Sequence, residues 1–224
     1  MTTQFFIFWT AILIFDGALI AFLAWAAESE RFGRYRIRTP KNYQIPTARR
    51  RENISLNNLL SLLIFIAFLY YFGESQLYAG WPGGALLLGE SLGVLMLYDL
   101  MYYFYHRGMH HPFVLKHVHR IHHLVRYPTA PESIFLHPLE LLGALALLFL
   151  AIWIVGPISG ASFLVVFMVY STANILVHSN LVIPHPAFRL PNFWAEKHDI
   201  HHARLQYNYA SIFPFWDQAF GTYK

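Results

Sequence analysis

The chain opens on an apolar run from Phe5 to Ala27, interrupted only by Thr10, Asp16 and Gly17. A helix of that length rises about 35 Å, enough to cross a bilayer. It is too long, and too weakly basic at its start, for a signal peptide. Further runs cover Ile54 to Phe72 and Ala85 to Tyr105, and a longer one, Leu139 to Val177, is interrupted at Gly156-Pro157 and Ser159-Gly160. Proline lacks the amide donor a helix interior needs, so the last run predicts a hairpin whose short arms are either two full spans or a re-entrant pair. The pattern predicts an all-α, integral membrane bundle with four or five membrane-embedded helices.

Composition agrees. Apolar residues make up 56% of the chain and charged residues only 12%, a balance foreign to a water-soluble domain. Cysteine is absent, which excludes disulfides, thiolate ligands and cysteine nucleophiles together.

Charge orients the bundle. Eight of the 16 Lys and Arg residues lie between Arg31 and Arg51, and the stretch Gly73 to Gly84 has none. The positive-inside rule then puts the basic loop in the cytoplasm and the N-terminus outside. By alternation, His106 to Pro138 and everything from His178 onward form a cytoplasmic, histidine-rich helical cap. A nucleic-acid partner is not expected, because the basic patch is short, sits between two spans and carries no binding motif. Anionic lipid explains it better.

All 13 histidines follow the first 105 residues. This divides the chain into anchor and site: residues 1–84, membrane helices with the basic loop, and residues 85–224, the part that bears the histidines. His106 and His110 stand at i, i+4, on one face of a helix continuing the third span. His119-Arg-Ile-His122-His123 and His198-Asp-Ile-His201-His202 repeat the same i, i+3, i+4 spacing. Three adjacent imidazoles crowd one ion but serve two side by side, so a binuclear site is expected, with His178 a further ligand from the end of the hairpin. Imidazole alone does not choose among zinc, iron, manganese and copper. His111, His117 and His185 fall outside the repeated spacing.

These motifs resemble the fatty acid hydroxylase and sterol desaturase superfamily of membrane di-iron proteins, with His-x-x-x-His followed by two His-x-x-His-His boxes. The likeness extends to Asp99 through Arg107, to His137-Pro138-Leu139-Glu140, to His178-Ser179-Asn180, and to Asn208 through Tyr223, with Ala210 where glycine is usual. It implies nine ligands, His106, His110, His119, His122, His123, His178, His198, His201 and His202, with His137 an additional candidate. Asp99, Tyr103, Asn174, Asn208 and Asp217 are expected to support them, Asp99 by orienting a ligand imidazole. Asn174 stands where some relatives carry another histidine.

The resemblance also implies two iron ions, O2, and hydroxylation or desaturation of a lipid C–H bond, with zinc as an alternative metal. No dinucleotide, haem or iron–sulfur motif is present, so electrons are expected from a separate ferredoxin, or from a b-type cytochrome with its reductase. Arg107, Lys116, Arg120 and Arg126 offer a face for such a carrier or for lipid headgroups. The rivals are a membrane zinc hydrolase, disfavoured by the absence of a His-Glu-x-x-His helix, and a metal transporter or sensor. Tyr98, Tyr102, Tyr103 and Tyr105 read as an interfacial aromatic belt rather than substrate contacts. Asp16 and Glu90, inside apolar runs, are either functional or paired within the bundle.

Overall fold

The computed structural model describes residues 2–39 and 45–224. Five helices are long and apolar enough to cross a membrane: α1 (Thr3–Glu28), α2 (Thr47–Gln76), α3 (Gly84–Met109), α4 (Pro138–Val155) and α5 (Gly160–Val177). The Thr2 side chain caps α1 by accepting from Phe5 N. The long last run divides at Gly156 to Ser159 into α4 and α5, each of 18 residues and thus about 27 Å long. Both arms therefore match the apolar thickness of a bilayer.

Lipid-facing and core-facing apolar residues are distinguished by exposure. Ile7 and Phe8 of α1 are each 60% exposed, as suits a helix whose solvent is hydrocarbon. Inside, α3 packs on α4 and α5, and α2 on α4. Phe68 stacks on Phe149 with ring centroids 4.1 Å apart, and Phe65 meets Phe149 and Phe167 edge-on. Tyr98 is buried against Tyr170, Tyr102 is half-buried beside it, and the Tyr105 hydroxyl donates to the Glu140 carbonyl. Tyr103 is fully buried and its hydroxyl meets Thr222 Oγ1. These four tyrosines turn inward, which corrects the expectation of an interfacial belt: their partners are Tyr170, Glu140 and Thr222 inside the bundle.

The two ends of the bundle are built differently. At one, Leu77–Tyr78 pairs in parallel with Ile158–Ser159. Glu90 completes that join, accepting from the Tyr78 hydroxyl at 2.6 Å, Ser159 N at 2.9 Å and Ser162 Oγ at 2.6 Å. Its carboxylate is thus a staple, paired within the bundle. At the other end, Asn57 donates to the carbonyls of Ile134 and Leu136, and Asn53 both donates to Leu136 O and accepts from Leu136 N.

This second end gathers the C-termini of α1, α3 and α5 and the N-termini of α2 and α4. The basic segment belongs to it: Arg50 pairs with Glu132, and Arg38 makes a two-pronged pair with Asp199. The middle of that segment, with Lys41, lies outside the described residues. Two further helices close this end, α6 (Arg189–Arg204), which packs on α5, and the short α7 (Phe215–Ala219).

Candidate metal centre

Chain reversals at the end of each helix bring the histidines together. His106 sits in the last turn of α3 and His110 at its C-cap. His111-Pro112 then restarts the helix, and a π turn over Leu115–His119 leads into one α turn, Arg120–His123. Such widened turns recur at functional sites because they shift side chains off the regular helical stripe. His178 caps the C-terminus of α5, and α6 carries His198, His201 and His202.

The nine histidines form two groups. His106, His110, His119, His123 and His201 make one, and His122, His178, His198 and His202 the other; within each, the candidate ligand atoms lie within 4.8 Å of one another. Each His-x-x-His-His box is therefore split between the groups. His119 Nε2 has three neighbours, the Nε2 atoms of His123 at 2.9 Å, His110 at 3.1 Å and His106 at 3.2 Å. In the second group His198 Nε2 stands 2.9 Å from His178 Nε2 and 3.0 Å from His202 Nε2, which is 3.1 Å from His122 Nε2.

Backbone carbonyls show what these short distances mean. Nδ1 of His106 donates to Tyr209 O, that of His201 to Tyr207 O, and that of His178 to Asn174 O, each at 2.8 Å. A carbonyl only accepts, so these rings carry their proton on Nδ1 and present a bare lone pair at Nε2. Lone pairs packed about 3 Å apart repel unless a cation lies among them. Two nitrogens bound about 2.1 Å from one ion at about a right angle stand about 3 Å from each other. The donor set thus fits two metal ions, and its all-nitrogen chemistry suits iron or zinc.

Burial, reinforced by neighbouring imidazoles, holds these rings neutral. It lowers the His110 pKa to about 3 and that of His178 to about 4. The same causes, burial first, lower His119, His122, His123, His198, His201 and His202. A ring that refuses its second proton at pH 7 keeps a lone pair available to metal.

The residues expected to support the histidines act mainly through the backbone. Asp99 does not touch an imidazole: it accepts from the backbone N–H groups of Ser211, Ile212 and Phe213 and pins the C-terminal segment to α3. Asp217 accepts from Tyr209 N at 2.7 Å and Ala210 N at 3.0 Å and pairs with Lys197, fixing the peptide whose carbonyl holds His106. Asn208, at a left-handed φ of 58°, donates to the carbonyls of Lys197 and Lys224 beside the Tyr207 carbonyl that holds His201. Asn174 contributes its carbonyl to His178 while its side chain donates to Ser133 O. Tyr103 meets Thr222 and Arg107 rather than a ligand ring.

His137 caps the N-terminus of α4, its Nδ1 accepting from Leu139 N, and lies outside both groups. His111, His117 and His185 lie outside them too. The residue that the spacing missed is Glu140, buried in the first turn of α4, whose Oε1 accepts from His119 Nδ1 at 2.9 Å. A lone acid opening an otherwise wholly apolar helix is the signal that pointed to it.

A small chamber beside the histidines is lined by His106, His122, His178 and His198. It shares Tyr102, Ser133, Leu136, Glu140, Asn174 and Ser211 with a cavity of about 430 Å³ between the membrane helices. That cavity is walled mainly by α1, α2, α4 and α5; no histidine lines it, and it borders the chamber through those shared residues.

Residues 91–222 match the family model described as fatty acid hydroxylase. The chain belongs to the fatty acid hydroxylase family. Among its curated relatives, methylsterol monooxygenase 1 of Rattus norvegicus is 32% identical over 181 residues, 76% of this chain and 60% of the relative. Lathosterol oxidase of Rattus norvegicus is 29% identical over 163 residues, 68% of this chain and 52% of the relative. The fatty acid hydroxylase ahd1 of Mycosarcoma maydis is 33% identical over 88 residues, 39% of this chain and 23% of the relative. The chain thus spans 60% or less of the length of these relatives. No solved structure matches it. This family member is a multi-pass integral membrane protein, and all nine histidines of the two groups fall within the matched segment.

Proposed function

We propose that this protein is a membrane-bound, non-haem di-iron oxygenase that hydroxylates or desaturates a C–H bond of a lipid. The observation that carries this reading is a chamber lined by imidazoles of both groups that shares part of its wall with an intramembrane cavity. A lipid enters from the bilayer, fills the cavity and presents its carbon to the chamber, where burial excludes bulk water. The relatives named for a methylsterol, for lathosterol and for fatty acids support a lipid substrate, sterol or fatty acyl.

His106, His110, His119, His123 and His201 would hold one ion, and His122, His178, His198 and His202 the other. Two iron ions there would supply activation of O2 at the substrate carbon, with zinc the alternative metal. The carbonyls of Tyr209, Tyr207 and Asn174 keep the Nδ1 protons in place, and Glu140 orients His119. Hydroxylation consumes O2, two electrons and two protons per C–H bond and releases water. The electrons come from a separate ferredoxin, or a b-type cytochrome with its reductase, docked on the exposed Arg107, Lys116, Arg120 and Arg126. The basic segment, paired to the histidine end through Arg38 and Arg50, supports a cytoplasmic location for the centre. In this reading residues 85–224 carry the catalysis, and residues 1–84 anchor it and wall the cavity.

A transport path would need ligands spaced through the spans, whereas both groups, the metal clusters among the described residues, lie at one end. The deciding experiment measures metal content and reductant-dependent O2 uptake of the purified protein with candidate lipids. Two irons per chain and lipid-stimulated uptake are expected; one zinc per chain with no uptake would overturn the proposal.

A further inference from the structure

Among the described residues six carboxylates are buried, and five are accounted for: Glu132 pairs with Arg50, and Glu140 faces His119. Glu90, Asp99 and Asp217 each accept at least three hydrogen bonds that tie distant segments together. Asp16, midway along α1, is different. It is 8% exposed, and its neighbours are hydroxyls: Thr172 Oγ1 donates to its Oδ1 at a long 3.3 Å, and Ser171 lies beside it. Among the described residues no Lys, Arg or backbone N–H binds it. A carboxyl group at membrane depth with so few partners is costly, and such groups mark ligand sites.

Asp16 also lines the 430 Å³ cavity. Around it the lining is mainly apolar, with Trp9, Leu13, Ile20, Leu62 and Phe167, relieved by Asn58, Ser61 and Ser171. A few polar groups on an apolar wall orient an amphipathic ligand. From Thr172 to His178 the helix rises about 9 Å, several C–C bonds, so Asp16 stands too far from the imidazoles to ligate metal there. It lies on α1, outside the segment matched by the family model, so it is a feature of this chain's own N-terminal part.

We propose that Asp16, steadied by Thr172, is the anchor for the hydroxyl group of a lipid alcohol whose hydrocarbon body extends along the cavity toward the histidines. The lipid O–H donates to the Asp16 carboxyl group, and the apolar walls take the remainder. This rests on the oxygenase reading only for what happens at the far end; the anchor is a binding site in its own right. Asp16 is a specificity-determining residue, not a catalytic one.

The test is equilibrium binding to full-length protein in nanodiscs, stripped of metal so that turnover plays no part. The probes are two matched pairs, radiolabelled cholestanol with cholestane and 1-hexadecanol with hexadecane. The expected result is that the alcohol of at least one pair binds about tenfold more tightly than its alkane, the worth of one hydrogen bond to a charged acceptor. That preference should vanish in Asp16→Leu, fall in Thr172→Val and survive in part in Asp16→Asn, which still accepts. If Asp16→Leu fails to fold, judged by its unfolding midpoint and its metal uptake, Thr172→Val and Asp16→Asn carry the test. Equal binding of alcohol and alkane in both pairs, or a preference unchanged in the variants, overturns the anchor. An Asp16-dependent alcohol that the iron-loaded protein never oxidises leaves the anchor standing and overturns the oxygenase reading.

Discussion

The five-histidine and four-histidine groups share a ligand chemistry but differ in support and in access. In the larger group, the rings of His106 and His201 are fixed by carbonyls and that of His119 by Glu140. In the smaller group the holds come from the backbone alone, Asn174 for His178, Phe135 for His122 and Val125 for His202. Access is reversed: His122, His178 and His198 of the smaller group line the chamber that meets the lipid cavity, against His106 alone of the larger. A closed set of ligands suits a metal that holds structure and charge, and an open one suits a metal that exchanges small molecules. The difference teaches that the two groups of one centre need not be equivalent, and that the four-histidine side is the more open to the chamber.

The largest expected effect breaks this comparison at the ligands. His122→Ala or His202→Ala leaves three donors in the smaller group, so metal content should fall from two ions per chain to one and activity should be lost at least 100-fold. His110→Ala leaves four donors in the larger group and should retain both ions. Membrane insertion should persist in all three variants. Elemental analysis of the purified variants checks this, and equal metal loss in both groups would show that the asymmetry is not functional.

A smaller effect sharpens the contrast in support. Glu140→Gln keeps the volume but replaces the carboxyl group facing His119 Nδ1 by an amide, and should weaken the metal of the larger group by about 10- to 100-fold. Competition with a graded chelator measures it. Loss of the smaller group's metal first would reverse the predicted order of support.

Acid acts on the metal-free protein. His110 and His178 have folded pKa values of about 3 and about 4, below the ordinary value of about 6.5 for an unfolded chain. Between those limits the unfolded chain binds more protons, so stability falls as pH drops from about 6.5 toward about 4. The unfolding midpoint of chelator-treated protein should therefore decline between pH 7 and 5. With metal bound, the decline should begin at lower pH, because the ion holds the neutral rings. A flat profile in the metal-free protein would mean that these rings are not buried as a group.

The bundle and the histidines that gather into groups were legible from the chain for a simple reason: span length and imidazole spacing are local, repeating signals. The division of each His-x-x-His-His box between two groups was not, since it depends on how the turn Arg120–His123 meets α6, a contact between residues about 80 apart. Asp99 was misassigned for the same reason. Its place on the His106 stripe is local, but its partners, the N–H groups of Ser211 to Phe213, come from the far end of the chain. The tyrosines of α3 were misread because composition cannot say which side of a helix faces lipid. Glu140 was visible as a charge at the start of an apolar helix, yet only the fold sets it against His119.

The smallest expected effect tests whether nearness to the centre is the same as membership of it. Arg38 makes a two-pronged pair with Asp199, the residue after His198 in the smaller group. Its side chain is 46% exposed, so solvent screens the pair and its worth is about 1 kcal/mol or less. The pairing keeps the guanidinium charged, which an arginine does in any case. Arg38→Ala should therefore lower the unfolding midpoint by a few degrees at most and leave both metals bound. It should change turnover with an artificial reductant less than about threefold. If turnover instead collapsed while metal content held, the basic segment would be positioning α6 for catalysis. The functional boundary of the four-histidine group would then extend past its ligands to the segment joining α1 and α2.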